Sequence, residues 1–254
     1  TQEIMLVVVT YGGLPLKEIQ RLEDLFQNRV QSLYWSKTDE SYYDVTTPNR
    51  VLFGTPTIIE KIGSLKFSIQ PFVRFPGNIK QFQKMMDWIS TSANIGKSTV
   101  LVDVGCGIGF SCIYLADKVK RSVGFDLDEH MINGSNKNVE LNDLKNVFFL
   151  KGSAETGLDD LANNITANEE IVCLFNTINP TPPVSSIKAV ALCNAVKKFV
   201  YISDSLYTFA YDIERFLLEG NTIGAAPFTI DKLQLFDFQP LSQVSTVVGL
   251  FVRK

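Results

Sequence analysis

The stretch Leu101-Val102-Asp103-Val104-Gly105-Cys106-Gly107-Ile108-Gly109-Phe110 decides the fold. An apolar run of strand length passes into a turn with glycine at every second position, and a helical pattern follows. Missing side chains let a ligand approach the backbone, so strand, glycine turn and helix together are the setting of a nucleotide site in a parallel sheet. A second apolar run ends in Gly124-Phe125-Asp126, about twenty residues after the glycines, where a carboxylate accepts hydrogen bonds from both hydroxyls of a ribose. The candidate ligand-binding residues are therefore Asp103, Gly105, Gly107, Gly109, Phe110 and Asp126. NAD is the main rival occupant of such a turn, and a glycine turn that binds nothing is the bland alternative. Asp128 and Glu129 read as an acidic first helical turn that favours the helix dipole, and His130 as a solvent-facing residue of the same turn.

Working outward, residues from Ile79 onward alternate helices with apolar strands, the pattern of a doubly wound parallel sheet. A helix is expected from Ile79 to Ala93, and strands at Thr99 to Val104, Ser122 to Asp126, Val147 to Lys151, Ile171 to Phe175 and Phe199 to Ser203. Two late strands, Leu233 to Phe238 and Val244 to Val252, are joined by a tight connection at Pro240. Upstream, the spacing predicts a strand Ile4 to Val9, a helix opened by Pro15, a strand Val30 to Trp35, and a meander at Val51 to Phe53, Ile58 to Ile62 and Leu65 to Ile69. The expected organisation is a small α/β domain over 1–76 and a Rossmann-like domain over 77–254.

With 254 residues and 45% hydrophobic content the chain can bury a substantial core. A net charge of −3 gives no global basic field, so any nucleic-acid contact has to be local. Cys106, Cys112, Cys173 and Cys193 form no CxxC pair and His130 is the only histidine, so neither a metal site nor a disulfide framework is expected, which fits a reducing compartment. No apolar run reaches the roughly 20 residues that span a bilayer, so a soluble chain with no membrane partner is expected. The start at Thr1 is expected to reflect processing or trimming.

The helix and strand after Asp126 carry Asn138-Val139-Glu140-Leu141-Asn142 and Asn146-Val147-Phe148-Phe149. Together with Asp103-Val104-Gly105-Cys106-Gly107-Ile108-Gly109, Leu52-Phe53-Gly54, Ile58-Ile59-Glu60, Phe67-Ser68-Ile69-Gln70-Pro71 and Arg74-Phe75-Pro76-Gly77-Asn78, the sequence resembles the 5-methyluridine RNA methyltransferases of tRNA and rRNA. That resemblance covers nearly the whole chain, but not the N-terminal oligonucleotide-binding barrel that many members carry. It implies a class I S-adenosylmethionine-dependent methyltransferase fold, a Rossmann-like sheet preceded by a small α/β domain. It also implies an RNA partner, tRNA or rRNA, and S-adenosylmethionine as cofactor, with Asn179 joining the residues that hold it. The pocket either still holds that cofactor or survives only as a fold.

In the resembled family a cysteine adds to C6 of uracil, making C5 nucleophilic, and a glutamate later removes the C5 proton; both steps are chemically demanding. Here the run Val200-Tyr201-Ile202-Ser203-Asp204 places an aspartate where that thiolate belongs. Ser245 stands at the position of the base and Gln243 at that of a nearby histidine. The family's Asp-Pro-Pro-Arg reads Asn179-Pro180-Thr181-Pro182, its cofactor-touching glutamine is Pro76, and the aromatic beside the glycine turn is Gly105. Cys193 and Cys173 read as buried apolar residues, not as substitute nucleophiles.

These replacements predict a chain without catalytic residues. The implied role is a pseudoenzyme scaffold holding RNA or protein partners, as in ribosome biogenesis or another ribonucleoprotein, within the cell in a mitochondrion or the cytoplasm. Tyr42, Tyr43, Phe72 and Phe75 are candidates for stacking on bases. The alternative is an active enzyme with altered chemistry and a nitrogen target, because Asn179-Pro180 matches the first half of the Asn-Pro-Pro-Tyr loop of amino-methylating enzymes.

Overall fold

In the computed structural model β6 (Thr99–Val104) runs through the interior of a seven-stranded sheet with all six residues buried, which is why its run is apolar instead of alternating. The structure describes residues 3–38, 50–176, 184–222, 228–242 and 244–254. The chain divides into two units, Thr1–Phe75 and Pro76–Lys254. In the second, β7 (Arg121–Asp126) and β8 (Val147–Lys151) extend the sheet to one side of β6, and β9 (Glu170–Phe175) and β10 (Val196–Ser203) to the other, all parallel. β12 (Thr246–Arg253) pairs antiparallel with β10, and β11 (Phe228–Phe236) closes that edge, giving the order β11-β12-β10-β9-β6-β7-β8. The chain leaves β6 toward β8 and then returns to the far side, so the order reverses at β6 and β9, and the strand ends there form the crevice in which such sheets bind ligands.

Each connecting helix follows from its sequence. α2 (Ile79–Ser92) is capped by Asn78, whose Oδ1 accepts from Gln81 N at 3.1 Å, and it buries Phe82, Met85, Met86 and Ile89 at helical spacing. α3 (Phe110–Tyr114) is a short segment after the glycine turn. α4 (Glu129–Leu141) starts on Asp128, and α5 (Ala154–Asn163) on a Ser153/Thr156 capping box. α6 (Val184–Leu192) precedes β10 and α7 (Leu206–Thr222) follows it.

In the first unit β1 (Met5–Tyr11), α1 (Leu16–Phe26) and β2 (Ser32–Thr38) make a parallel βαβ unit, β3 (Arg50–Gly54) joins β2 antiparallel, and β4 (Ile58–Ile62) and β5 (Leu65–Ile69) form a hairpin. The expected α/β class, a Rossmann-like sheet preceded by a smaller α/β unit, agrees with this architecture. Four strands begin two or more residues from the sequence expectation, β12 at Thr246 instead of Val244 among them. β2 begins at Ser32 instead of Val30, because its buried positions include Ser32, Ser36 and Thr38, which disguise the alternation. β11 begins at Phe228 instead of Leu233, since a register shift between Ile230 and Lys232 interrupts its period. β10 begins at Val196, with a comparable shift before Lys198.

The core on the β10–β12 side is aromatic. Phe199 stacks on Phe251 at 4.3 Å between centroids and meets Phe175, Phe216 and Phe228. Arg253 caps this cluster: its guanidinium lies 4.3 Å from the Phe228 centroid, Nη2 donates to the carbonyls of Val190, Ala191 and Cys193, and Nε donates to Val196 O. One side chain thus satisfies carbonyls where α6 ends and ties β12 to them. Arg253→Met, which keeps the stem and removes the fork, is expected to cost about 3 kcal/mol by leaving these carbonyls without a donor, read as a lower urea midpoint with an unchanged slope. A loss under about 0.5 kcal/mol would show that water replaces the guanidinium there.

Candidate functional site

At the C-terminal end of β6 the backbone must turn back over the sheet. Gly105 N and Cys106 N both donate to Phe125 O at 2.9 and 3.1 Å, and Gly109 N donates to Cys106 O at 3.0 Å. Gly107 and Gly109 have φ of +54° and +89°, conformations that side chains strain. A Cβ on Gly109 would lie 2.4 Å from the Phe149 ring, whereas nothing lies within 4 Å of one on Gly107. The turn is therefore packed from below at Gly109 and open above Gly107.

Two carboxylates flank it. Asp126, at the end of β7, accepts from Gly107 N through Oδ2 and from Asp128 N through Oδ1, both at 2.9 Å. Each oxygen keeps a further lone pair for a hydroxyl donor. Asp103 is only 1% exposed, and its Oδ1 has no hydrogen-bond partner among the described residues. Burial raises its pKa to about 7; a Ser111 hydrogen bond opposes that shift and the charge of Asp126 adds to it.

Behind the turn, buried Asn138 donates from Nδ2 to Ile108 O at 3.1 Å, and Asn142 Nδ2 donates to Asn138 O at 2.8 Å. The Asn138-to-Asn142 segment is thus a brace for the glycine turn, a role its spacing alone did not show. Phe110 is half-buried with its ring edge-on to Phe82. Asp128 caps α4, Glu129 pairs with Lys151 at 2.9 Å, and His130 is exposed, as expected of a first helical turn.

A second group stands two strands away, roughly 10 Å across the sheet. Asp204, just past β10, is exposed, and its Oδ1 accepts from Thr246 Oγ1 at 2.7 Å. Ser245 is exposed beside Thr246 where β12 begins. The pairing of Ser203 with Val247 brings these two chain regions together, and sequence reading had not given Thr246 a part. Gln243, Tyr42, Tyr43 and the segment Asn179-Pro180-Thr181-Pro182 lie outside the described residues. All four cysteines are free and buried, and burial pushes the thiols of Cys106, Cys112 and Cys173 up, keeping them protonated at neutral pH. Among the described residues no group of three or more His, Cys, Asp or Glu side chains could hold a metal ion, and no helix is long and apolar enough to cross a membrane.

Residues 95–202 match the family model of a methyltransferase domain. The chain is 30% identical to an uncharacterized RNA methyltransferase of Fusobacterium nucleatum over 99% of its own length and 53% of that protein's. It is 27% identical to human tRNA (uracil-5-)-methyltransferase homolog B over 82% of the chain and 42% of the human protein. The crystal structure of Pyrococcus abyssi tRNA (uracil-54, C5)-methyltransferase in complex with S-adenosyl-L-homocysteine superimposes with a TM-score of 0.69 at 22% identity, covering 99% of this chain and 57% of that one. The chain spans about half the length, or less, of the relatives it matches. The fold is that of the class I methyltransferases, and the chain is similar to RNA methyltransferases.

These likenesses overturn one expectation. Replacement at Asp204 and Ser245 predicted a chain that is not an enzyme, yet the proteins it resembles over nearly its full length are named RNA methyltransferases. The expectation had rested on replacements at the nucleophile, the base and the Asn179-Pro180-Thr181-Pro182 block, which bear on one reaction and not on methyl transfer in general. A thiolate is demanded by addition to a carbon ring, while methyl transfer to a heteroatom needs only alignment and a proton acceptor.

Asp103 gives a pH signature. Its folded value, raised to about 7, exceeds the ordinary carboxylate value, so the folded state holds the proton more tightly. That stability is complete below about pH 4 and is lost as pH rises to about 7, a total of about 4 kcal/mol. Asp103→Asn is therefore expected to melt about 10 °C above the parent at pH 8 and close to it at pH 4. Equal melting temperatures at both pH values would show that the carboxyl is not held protonated.

Proposed function

We propose that this chain is the methyl-transferring part of an S-adenosylmethionine-dependent RNA methyltransferase. The observation that carries the proposal is the buried, unpartnered Oδ1 of Asp103 beneath a glycine turn that is open above Gly107. A buried carboxyl oxygen without a hydrogen-bond partner calls for a donor from a ligand, and a cationic one would favour its ionised form; the ammonium of S-adenosylmethionine is such a group. Asp126 would take the ribose hydroxyls, the backbone at Gly105, Gly107 and Gly109 would let the ligand lie close, and Phe110, with Asn179 as the family resemblance implies, would complete the set of binding residues. When bound, S-adenosylmethionine supplies an electrophilic methyl group.

Asp204 favours a finer form of this reading. Its exposed carboxylate, held by Thr246 Oγ1, suits an acceptor atom that carries a proton, an N–H or O–H of the RNA, more than a ring carbon awaiting a nucleophile. The carboxylate orients the donor hydrogen and takes the proton as the methyl group is transferred. RNA is the proposed substrate because the relatives that match 82–99% of the chain are named for it.

Titration with S-adenosylmethionine tests the cofactor half. At a hundred times its dissociation constant the ligand stabilises the folded state by about 2.7 kcal/mol, a melting shift of about 5–10 °C. Asp126→Ala is expected to remove most of that shift. Transfer of a labelled methyl group to total RNA tests the other half, and Asp204→Asn should reduce it at least about a hundredfold with the melting shift retained. Absence of any shift in the parent chain overturns the proposal.

A further inference from the structure

α7 begins two residues after Asp204 and has two unlike sides. Phe209, Asp212, Ile213 and Phe216 are buried on one. On the other, Tyr207, Tyr211 and Arg215 follow at i, i+4 and i+8, which helical geometry puts in one stripe. Tyr207 is 84% exposed and Tyr211 52%, and the Arg215 guanidinium lies 5.7 Å from the Tyr211 centroid. The earlier stacking candidates Phe72 and Phe75 are half-buried by comparison.

We infer that this stripe holds unpaired nucleotides of the RNA next to the base being methylated, each tyrosine ring stacking on one base and the Arg215 guanidinium on a further base or its phosphate. The inference rests on the RNA-methyltransferase reading. Ring spacing chooses the form of the RNA: successive positions are about 6 Å apart along the helix axis, well beyond the roughly 3.4 Å of a stacked strand. Such rings fit bases splayed from a single strand, while a duplex keeps its base faces covered. Exposed Glu214 next to Arg215 keeps the stripe from being a plain cationic patch, so stacking rather than counterion release dominates. The position of the stripe, on the helix that leaves the Asp204 corner, sets flanking nucleotides beside the acceptor.

The test uses the full chain with a fluorescein-labelled 12-nucleotide oligouridylate and a blunt RNA duplex of equal length, read by anisotropy. The parent should bind the single strand more tightly than the duplex. Tyr207→Ala and Tyr211→Ala should each weaken single-strand binding about tenfold, and Tyr→Phe at both positions should restore it. Arg215→Ala should lower the salt slope by about 0.7. The S-adenosylmethionine melting shift should be unchanged in all variants, which shows the fold and cofactor pocket intact. Undiminished binding by the double alanine variant, or no binding by a parent that does show the melting shift, overturns the stripe alone; a parent without the shift overturns the enzyme reading.

Discussion

A single phenyl ring, Phe149, fills the space that two glycines leave open. A Cβ on Gly109 would lie 2.4 Å from the ring and one on Gly124 2.5 Å, closer than carbon atoms approach. The ring comes from β8, Gly124 from β7 and Gly109 from the turn after β6, so one side chain sets how three successive elements stack. With the turn pressed onto Phe149, its other surface faces out at Gly107, and the Gly107 amide is left within reach of Asp126. The geometry of the candidate pocket thus follows from a packing constraint in the core.

The same closeness makes the pocket electrically unsettled. Asp103 and Asp126 stand at the ends of neighbouring strands paired in parallel; burial first, and the Asp126 charge in addition, disfavour ionisation of Asp103. Asp126 relieves its charge with two backbone amides, but Asp103 has Ser111 on one oxygen and no partner on the other. A protein that needed only a stable strand end would place an apolar residue there. Retaining a carboxyl there at a stability cost accords with the proposed reading, in which Asp103 meets a cationic ligand group.

Much of this fold is legible in the sequence because β6, β7 and β9 are buried nearly throughout and read as unbroken apolar runs; they and the edge strand β8, half exposed but rich in Val, Phe and Leu, fall where the spacing puts them, to within a residue. The opposite edge is less legible. β11 lies at the rim with most side chains exposed, so neither alternation nor apolarity marks its start. In the site, glycines and acidic strand ends announce themselves by type and spacing. Asn138, Thr246 and Arg253 act through contacts with residues 30, 42 and about 60 positions away, and no local pattern encodes such partners. The expectation of inactivity was overturned by likeness over the chain and not by any local pattern: replaced residues at the nucleophile, base and loop positions speak only to the reaction those residues perform.

The corner at Asp204 owes its rigidity to the elements on either side. Tyr201 on β10 donates its hydroxyl to buried Asp212 on α7 and stacks on Phe209 at 5.4 Å, so strand and helix are joined twice within one turn. Between them Ser203 Oγ bonds Ser205 O, and Ser205 Oγ accepts from Thr208 N as the helix cap. Thr246 adds β12 through Asp204. With backbone, cap and side chains all fixed, the distance from Asp204 to Tyr207 and Tyr211 has little freedom to change. In the proposed reading, a strand of RNA seated on the two rings would meet Asp204 at a set number of nucleotides, so that geometry and not base-specific contact at the neighbouring bases would select the target position.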